Sequence, residues 1–173
     1  VIELPESLEP LVEDVNGEGL TLVQLIRKAA NYVLPFGRGG FLVDFPKTNG
    51  QVTRAQVDSG EIRPIIRFVE PWSIRNWQIE KTGITYRLSL LVLDENYEKV
   101  KTDDGFQIEA SIRQRVYRLV NNSCQVEVYE EKNLTERYII QGQNGLPLNE
   151  IPFEFVGSEN NDPDVDDPPF YGL

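Results

Sequence analysis

The sequence predicts an α+β fold: an antiparallel β-meander, in one or more sheets, with one main amphipathic helix at about residues 21–36 packed on it and a short helix besides. From residue 63 onward, apolar residues recur at every second position, the period of a strand. The connections between these runs are short, rich in Gly, Asn and Pro, and carry no helical pattern, so successive strands reverse direction. One helix with its own start and stop signals stands ahead of them.

That helix is "GLTLVQLIRKAANYVLPFGRGG". Thr21 with Gln24 three residues later matches a capping box, in which each partner satisfies a free amide of the first turn. Leu22, Ile26, Ala29, Ala30 and Val33 recur at helical spacing and are expected on the buried face. Pro35 has no amide hydrogen and is expected to disturb the last turn, and Gly37 supplies a left-handed stop. "GGFLVDFP" then reads as a short buried strand ended by Pro46. "KTNGQ" is a turn, and "TRAQVDSGE", with Thr53 and Gln56 repeating the cap, is the short helix. The strands follow: "RPIIRFV", then "SIRNWQIEK" after the Glu70-Pro71 turn, then "ITYRLSLLVL" after Lys81-Thr82-Gly83. In that last run Ile84, Tyr86, Leu88, Leu90 and Val92 share one face. "QIEASIRQRVYRLV" aligns Ile108, Ala110, Ile112 and Val116. Asn121-Asn122-Ser123 reverses the chain into "CQVEVYE", whose Cys124, Val126 and Val128 alternate. "ERYIIQ" and "IPFEFVG" flank Asn144-Gly145, a strong hairpin signal. Residues 1–157 form the predicted α+β body, and 158–173 an acidic, Pro-rich connector.

The 173 residues suffice for a well-buried core. With 40% hydrophobic and 26% charged residues, the composition is that of an ordinary globular protein. No apolar run approaches the ~20 residues of a membrane helix, and Val1-Ile2-Glu3-Leu4-Pro5 lacks the pattern of a signal peptide. A single cysteine cannot close an internal disulfide, which points to a reducing compartment. The sequence contains no methionine, so a processed chain or an excised fragment is expected, the fragment being favoured. The net charge of -11 is uneven: the first 26 residues hold six acids and no base, and seven acids but no base follow Arg137. Residues 27–137 hold all 17 bases against 15 acids. A near-neutral body between acidic ends is a poor match for a phosphate backbone.

The chemistry on offer is narrow. Histidine is absent, which removes the usual neutral-pH base and the commonest zinc ligand. Cys124, alternating with two valines, reads as a buried structural thiol. "GRGG" follows a helix and precedes a strand, the reverse of a phosphate loop's order, and it lacks the loop's Lys and Ser/Thr; it reads as a helix stop. Paired carboxylates are the one catalytic option left by composition, yet no pair stands out by position. Asp44, inside "FLVDF", is expected to find a partner because a buried carboxylate requires donors or a cation. Asp162, Asp164 and Asp166 alternate as calcium-loop ligands do, but the sixth and twelfth places hold Asp167 and Leu173 instead of Gly and Glu. Pro163, Pro168 and Pro169 fit an extended connector instead. Trp72 and Trp77 flank a turn with Arg75 between them. Two placements fit: aromatics beside arginine at a protein interface, or aromatics filling the core. No catalytic residue, metal or cofactor is expected.

Three stretches together resemble tailed-bacteriophage portal proteins, including a prophage-borne family. "LPESLEPLVEDVNGEGLTLVQLIRKAANYVLPFGRGGFLVDFP" is similar to that family's turn, helix, glycine-bearing helix end and "LVD-(aromatic)-P" strand. "RPIIRFVEPWSIRNW" is similar to its strand, Pro-containing turn and "I-x-N-W" strand, and "PLNEIPFEFVGSENNDPDVDDPPFYGL" to its "L-x-x-IPF" strand and Asn-Asn, Asp and Pro-rich connector. Pro35 departs from the pattern, since helices of the family run on at that place, and Trp72 lies in a variable turn. The resemblance implies a wing portion that a connector joins to channel helices. It implies a full-length ring, typically a dodecamer, at one capsid vertex of the virion, made in the bacterial cytoplasm. Its partners would be itself, the terminase large subunit, the major capsid protein and head-completion proteins. Double-stranded DNA would pass through the full-length channel without being bound by this portion, and neither membrane nor cofactor is implied. The alternatives are a stand-alone β-rich binding or adaptor module and a carboxylate-based hydrolase.

Overall fold

A computed structural model of the chain describes residues 8–44, 63–100, 108–142 and 145–163. The elements are α1 (Pro10–Glu13), α2 (Leu22–Phe36), β1 (Arg38–Asp44), β2 (Ile65–Val69), a single 3-10 turn (Pro71–Ser73), β3 (Ile74–Thr82), β4 (Thr85–Val100), β5 (Ile108–Val120), β6 (Ser123–Glu130), β7 (Asn133–Ile139) and β8 (Phe153–Gly157). Most of them are strands, in two antiparallel sheets accompanied by a few helices. The chain divides into two compact units, Val1–Pro71 with Pro152–Leu173, and Trp72–Ile151. The expected turn at "KTNGQ" and the short helix at "TRAQVDSGE" lie outside the described residues.

In the first unit the helix starts as its sequence dictates. The Gln24 amide donates to Thr21 Oγ1 at 3.3 Å and the Thr21 amide to Gln24 Oε1 at 2.9 Å, the reciprocal pair of a capping box. The end is Gly37 at φ 79, whose amide donates to Val33 O at 2.8 Å. Pro35 is carried inside the last turn without ending it; it forgoes the bond to the Asn31 carbonyl, and both residues are exposed, so that carbonyl can be served by water. The buried seam is Leu25, Ala29 and Val33, with Leu22 and Tyr32 beside it. Ile26 and Ala30, expected inside, are exposed. Apolar residues cover more than half of this helix's circumference, so periodicity fixed the amphipathic character but set its centre one residue off.

The helix packs on a three-stranded antiparallel sheet of order β2-β1-β8, whose strands are not consecutive in the chain. Val15, Leu25, Ala29, Val33 and Phe68 form its core. Tyr32 stacks on Phe68 at 5.9 Å between centroids, and Phe41 meets Phe68 edge-on at 5.7 Å, spacings at which aromatic pairs attract. Among the described residues, the strands on either side of the Asn144-Gly145 signal, β7 and β8, belong to different sheets. β8 pairs with β1, placing Phe155 opposite Gly40, and the reversal spans only an isolated bridge between Gln141 and Pro147.

The second unit is the expected meander, five strands in the order β3-β4-β5-β6-β7. Asn121 and Asn122, at φ 50 and 63, turn β5 into β6; Glu131 and Lys132, at φ 50 and 71, turn β6 into β7. Two consecutive left-handed residues match the twist of a tight hairpin. One face carries the most deeply buried side chains, Leu91, Leu93, Tyr117, Cys124, Val126 and Val128. The Cys124, Val126 and Val128 series is therefore inward as expected. The β4 and β5 series are not: Ile84 is 96% exposed, Tyr86 and Ile112 are exposed, and only Leu90 and Val116 of the described members are buried, on the opposite face. "LSLLVL" is apolar at both parities, so alternation there names two faces without ranking them.

Candidate functional site

Trp72, Arg75 and Trp77, for which interface and core placements both stood open, occupy different places. Trp72 stands in the Pro71–Ser73 turn, 53% exposed. Arg75 lies on a bulge between Ile74 and Asn76, and its Nε donates to Asp94 Oδ2 at 2.7 Å. Asp94 shares the parity of Leu90 and Val92 and also accepts from Gln114 Nε2 at 3.2 Å. Trp77 is half-buried and sits opposite Leu91, whose parity is that of Leu93. Arg75 and Trp77 thus belong to opposite faces of the sheet, and the three side chains do not form one patch.

The other candidates have structural roles. Asp44 ends β1 half-buried, and Arg67 Nη2 donates to it at 2.9 Å. Cys124 is fully buried, and burial pushes its thiol up to about 12, so at neutral pH it is not a nucleophilic thiolate. Gly37 is the helix stop expected of "GRGG". Asp162 is exposed, with its amide donating to Asn160 Oδ1 at 2.9 Å; Asp164 and Asp166 lie outside the described residues. Among the described residues, no three acidic or cysteine side chains gather to hold a metal ion, and no helix is long and apolar enough to cross a membrane.

Sequence reasoning missed three polar clusters. On the outer parity of β6, buried Glu127 receives Gln125 Nε2 at 3.1 Å, Arg137 Nη2 at 2.7 Å and the Tyr129 hydroxyl at 3.1 Å. Burial works to raise the Glu127 carboxyl, but the Tyr129 and Arg137 donors outweigh it and hold the group below the usual carboxylate range. The same bond to Glu127 raises the Tyr129 hydroxyl. Across β4 and β5, Glu95 Oε2 receives Arg113 Nε at 2.9 Å and Arg115 Nη2 at 3.0 Å. Burial opposes the Arg115 charge, yet Tyr117 and Glu95 raise its pKa above the ordinary value. Both clusters clamp neighbouring strands. Their trace in the sequence is charged residues set among apolar ones within strands, Glu127 in "QVEVYE" and Arg137 in "TERY" among them.

The third cluster is the loop before α2, "DVNGEGL". Asp14 Oδ1 accepts the amides of Gly17 at 2.8 Å and Gly19 at 2.9 Å, and Asp14 Oδ2 receives Arg63 Nη2 at 2.6 Å. The Gly19 amide, against the effect of burial and together with Gly17 and Arg63, lowers the Asp14 carboxyl. Asn16 Oδ1 accepts the amides of Glu18 at 3.0 Å and Leu20 at 3.1 Å.

The described surface also carries exposed apolar area. Val23, Ile26 and Leu34, with exposed Ala30 between them, run along the outer side of α2. Such a stripe suits packing against protein. Set against known proteins, the chain matches no protein-family model and no curated protein.

Proposed function

We propose that the chain is the wing portion of a portal subunit of a tailed phage or prophage, a non-enzymatic structural part of the ring at the capsid vertex. The observation that carries this reading is where the three portal-like stretches lie. Separated in the sequence, they supply α2 and β1, then β2, the 3-10 turn and the start of β3, then β8; β2, β1 and β8 are neighbours in one sheet, while β3 opens the other. The longer span without resemblance, residues 78–146, falls within the meander unit. Stretches that lie apart in the sequence and meet as neighbouring strands form a more specific pattern than isolated matches. In this reading the complete subunit assembles with copies of itself, docks the terminase large subunit, contacts major capsid and head-completion proteins, and surrounds passing DNA.

The apolar stripe on α2 and the exposed Trp72 also favour a second reading, a stand-alone protein-binding or adaptor module. Electron microscopy of the complete gene product separates the two: rings, typically of twelve subunits, are expected. A product that stays monomeric and is absent from virions overturns the portal reading.

A further inference from the structure

"DVNGEG" places Asp14, Asn16, Glu18 and Gly19 at the first, third, fifth and sixth positions of a calcium-loop spacing, but the twelfth, where the loop needs a bidentate glutamate, is Leu25. Leu25 is buried in the core beneath α2. The charge facing Asp14 comes from the protein itself. Arg63 Nη2 donates to Asp14 Oδ2 at 2.6 Å, and Arg63 Nη1 donates to Pro10 O in α1 at 3.2 Å. We infer that Arg63 is the resident cation of this loop and closes it without a metal ion.

The geometry gives the closure a purpose. Val15, inside the loop, is fully buried in the core of the first unit. Its amide donates to Leu20 O at 2.7 Å and its carbonyl accepts the Ile66 amide at 2.8 Å, so the loop is tied to β2 while Val15 fills the space under α2. Gly17 and Gly19, at φ 80 and 84, bend the backbone so that both amides reach Asp14. Arg63, two residues ahead of β2, joins α1, the loop and the start of the strand through one guanidinium. An arginine can serve two oxygens in a fixed fork, whereas a lysine ammonium presents a point charge.

The test uses the full chain, with amide hydrogen exchange at Gly17 and Gly19 as readout and the Gly37 amide at the far end of α2 as internal reference. Arg63→Ala is expected to speed exchange at Gly17 and Gly19 by roughly threefold to tenfold, the scale of one partly exposed charge-assisted contact, with Gly37 little changed. Arg63→Lys is expected to fall between the two. The melting temperature of the wild-type chain is expected to be the same in millimolar calcium as in EDTA. Unchanged exchange in Arg63→Ala overturns the inference, as does stabilisation of the wild type by calcium, which would put a metal where Arg63 is assigned. Should Arg63→Ala fail to fold, Arg63→Lys and the calcium comparison still decide.

Discussion

A methyl group added at Gly40 would overlap the Phe153 ring, and one at Gly39 the Phe68 ring. Bare backbone at these two places lets aromatic rings lie directly against the central strand. Gly40→Ala should therefore force the ring or strand aside and lower stability by about 1–3 kcal/mol, the usual cost of overpacking, measured as a shift in the urea midpoint. Cys124 presents the opposite case, a reactive atom silenced by its surroundings. It should resist iodoacetamide in the native chain and react at once in denaturant; rapid native labelling would contradict both its burial and its raised pKa. Glu127 sets a pH dependence. Its carboxyl is lowered in the folded state, so its contribution is fully present above the unfolded carboxylate value and is lost as pH falls through the folded one. The stability difference between wild type and Glu127→Gln should accordingly shrink below about pH 4, and a difference constant from neutral pH to acid would refute the assignment.

At the scale of elements, the two sides of α2 make a direct comparison. Leu25 is 2% exposed and Ile26 54%, though adjacent and alike in size. Leu25→Ala should cost about 2–5 kcal/mol, while Ile26→Ala should stay within roughly 0.5 kcal/mol; equal losses would mean the seam lies elsewhere. The same pair shows what the sequence could and could not reveal. Helix existence, cap and stop were legible because Thr21, Gln24 and Gly37 act on atoms three or four residues away. The inner parity of β4 was not, because choosing between Leu90 and Leu91 depends on what lies over each face. The partner of β8 was not legible either: Asn144-Gly145 encodes a local reversal, whereas pairing Phe155 with Gly40 spans most of the chain. Among candidate site residues, Arg75 was legible as a charged neighbour of aromatics, but not its bulge, which sends it to Asp94. The Asp14 loop had a visible signal in its acid and glycine spacing; its partner Arg63 lies far along the chain and leaves no local trace.

On the scale of the whole molecule, the division into two units has no compositional marker near Pro71 or Ile151, since strands occur on both sides of each boundary. Charge is the property that acts over the whole chain. At -11, like copies repel one another, and that repulsion is screened beyond about 8 Å at physiological ionic strength. Against it stands the apolar stripe of Val23, Ile26 and Leu34, which loses contact with water when two chains meet. A few exposed side chains fall short of the roughly 800 Å² per partner that a stable interface buries. The 19.8 kDa chain should therefore scatter light as a monomer at low salt and associate weakly, in proportion to concentration, as salt is raised. Replacing Ile26 and Leu34 with serine should remove that association while leaving the fold intact, because neither side chain belongs to the buried seam. A stable dodecamer of this chain at low salt would show instead that subunit contacts strong enough to build a ring reside within these 173 residues.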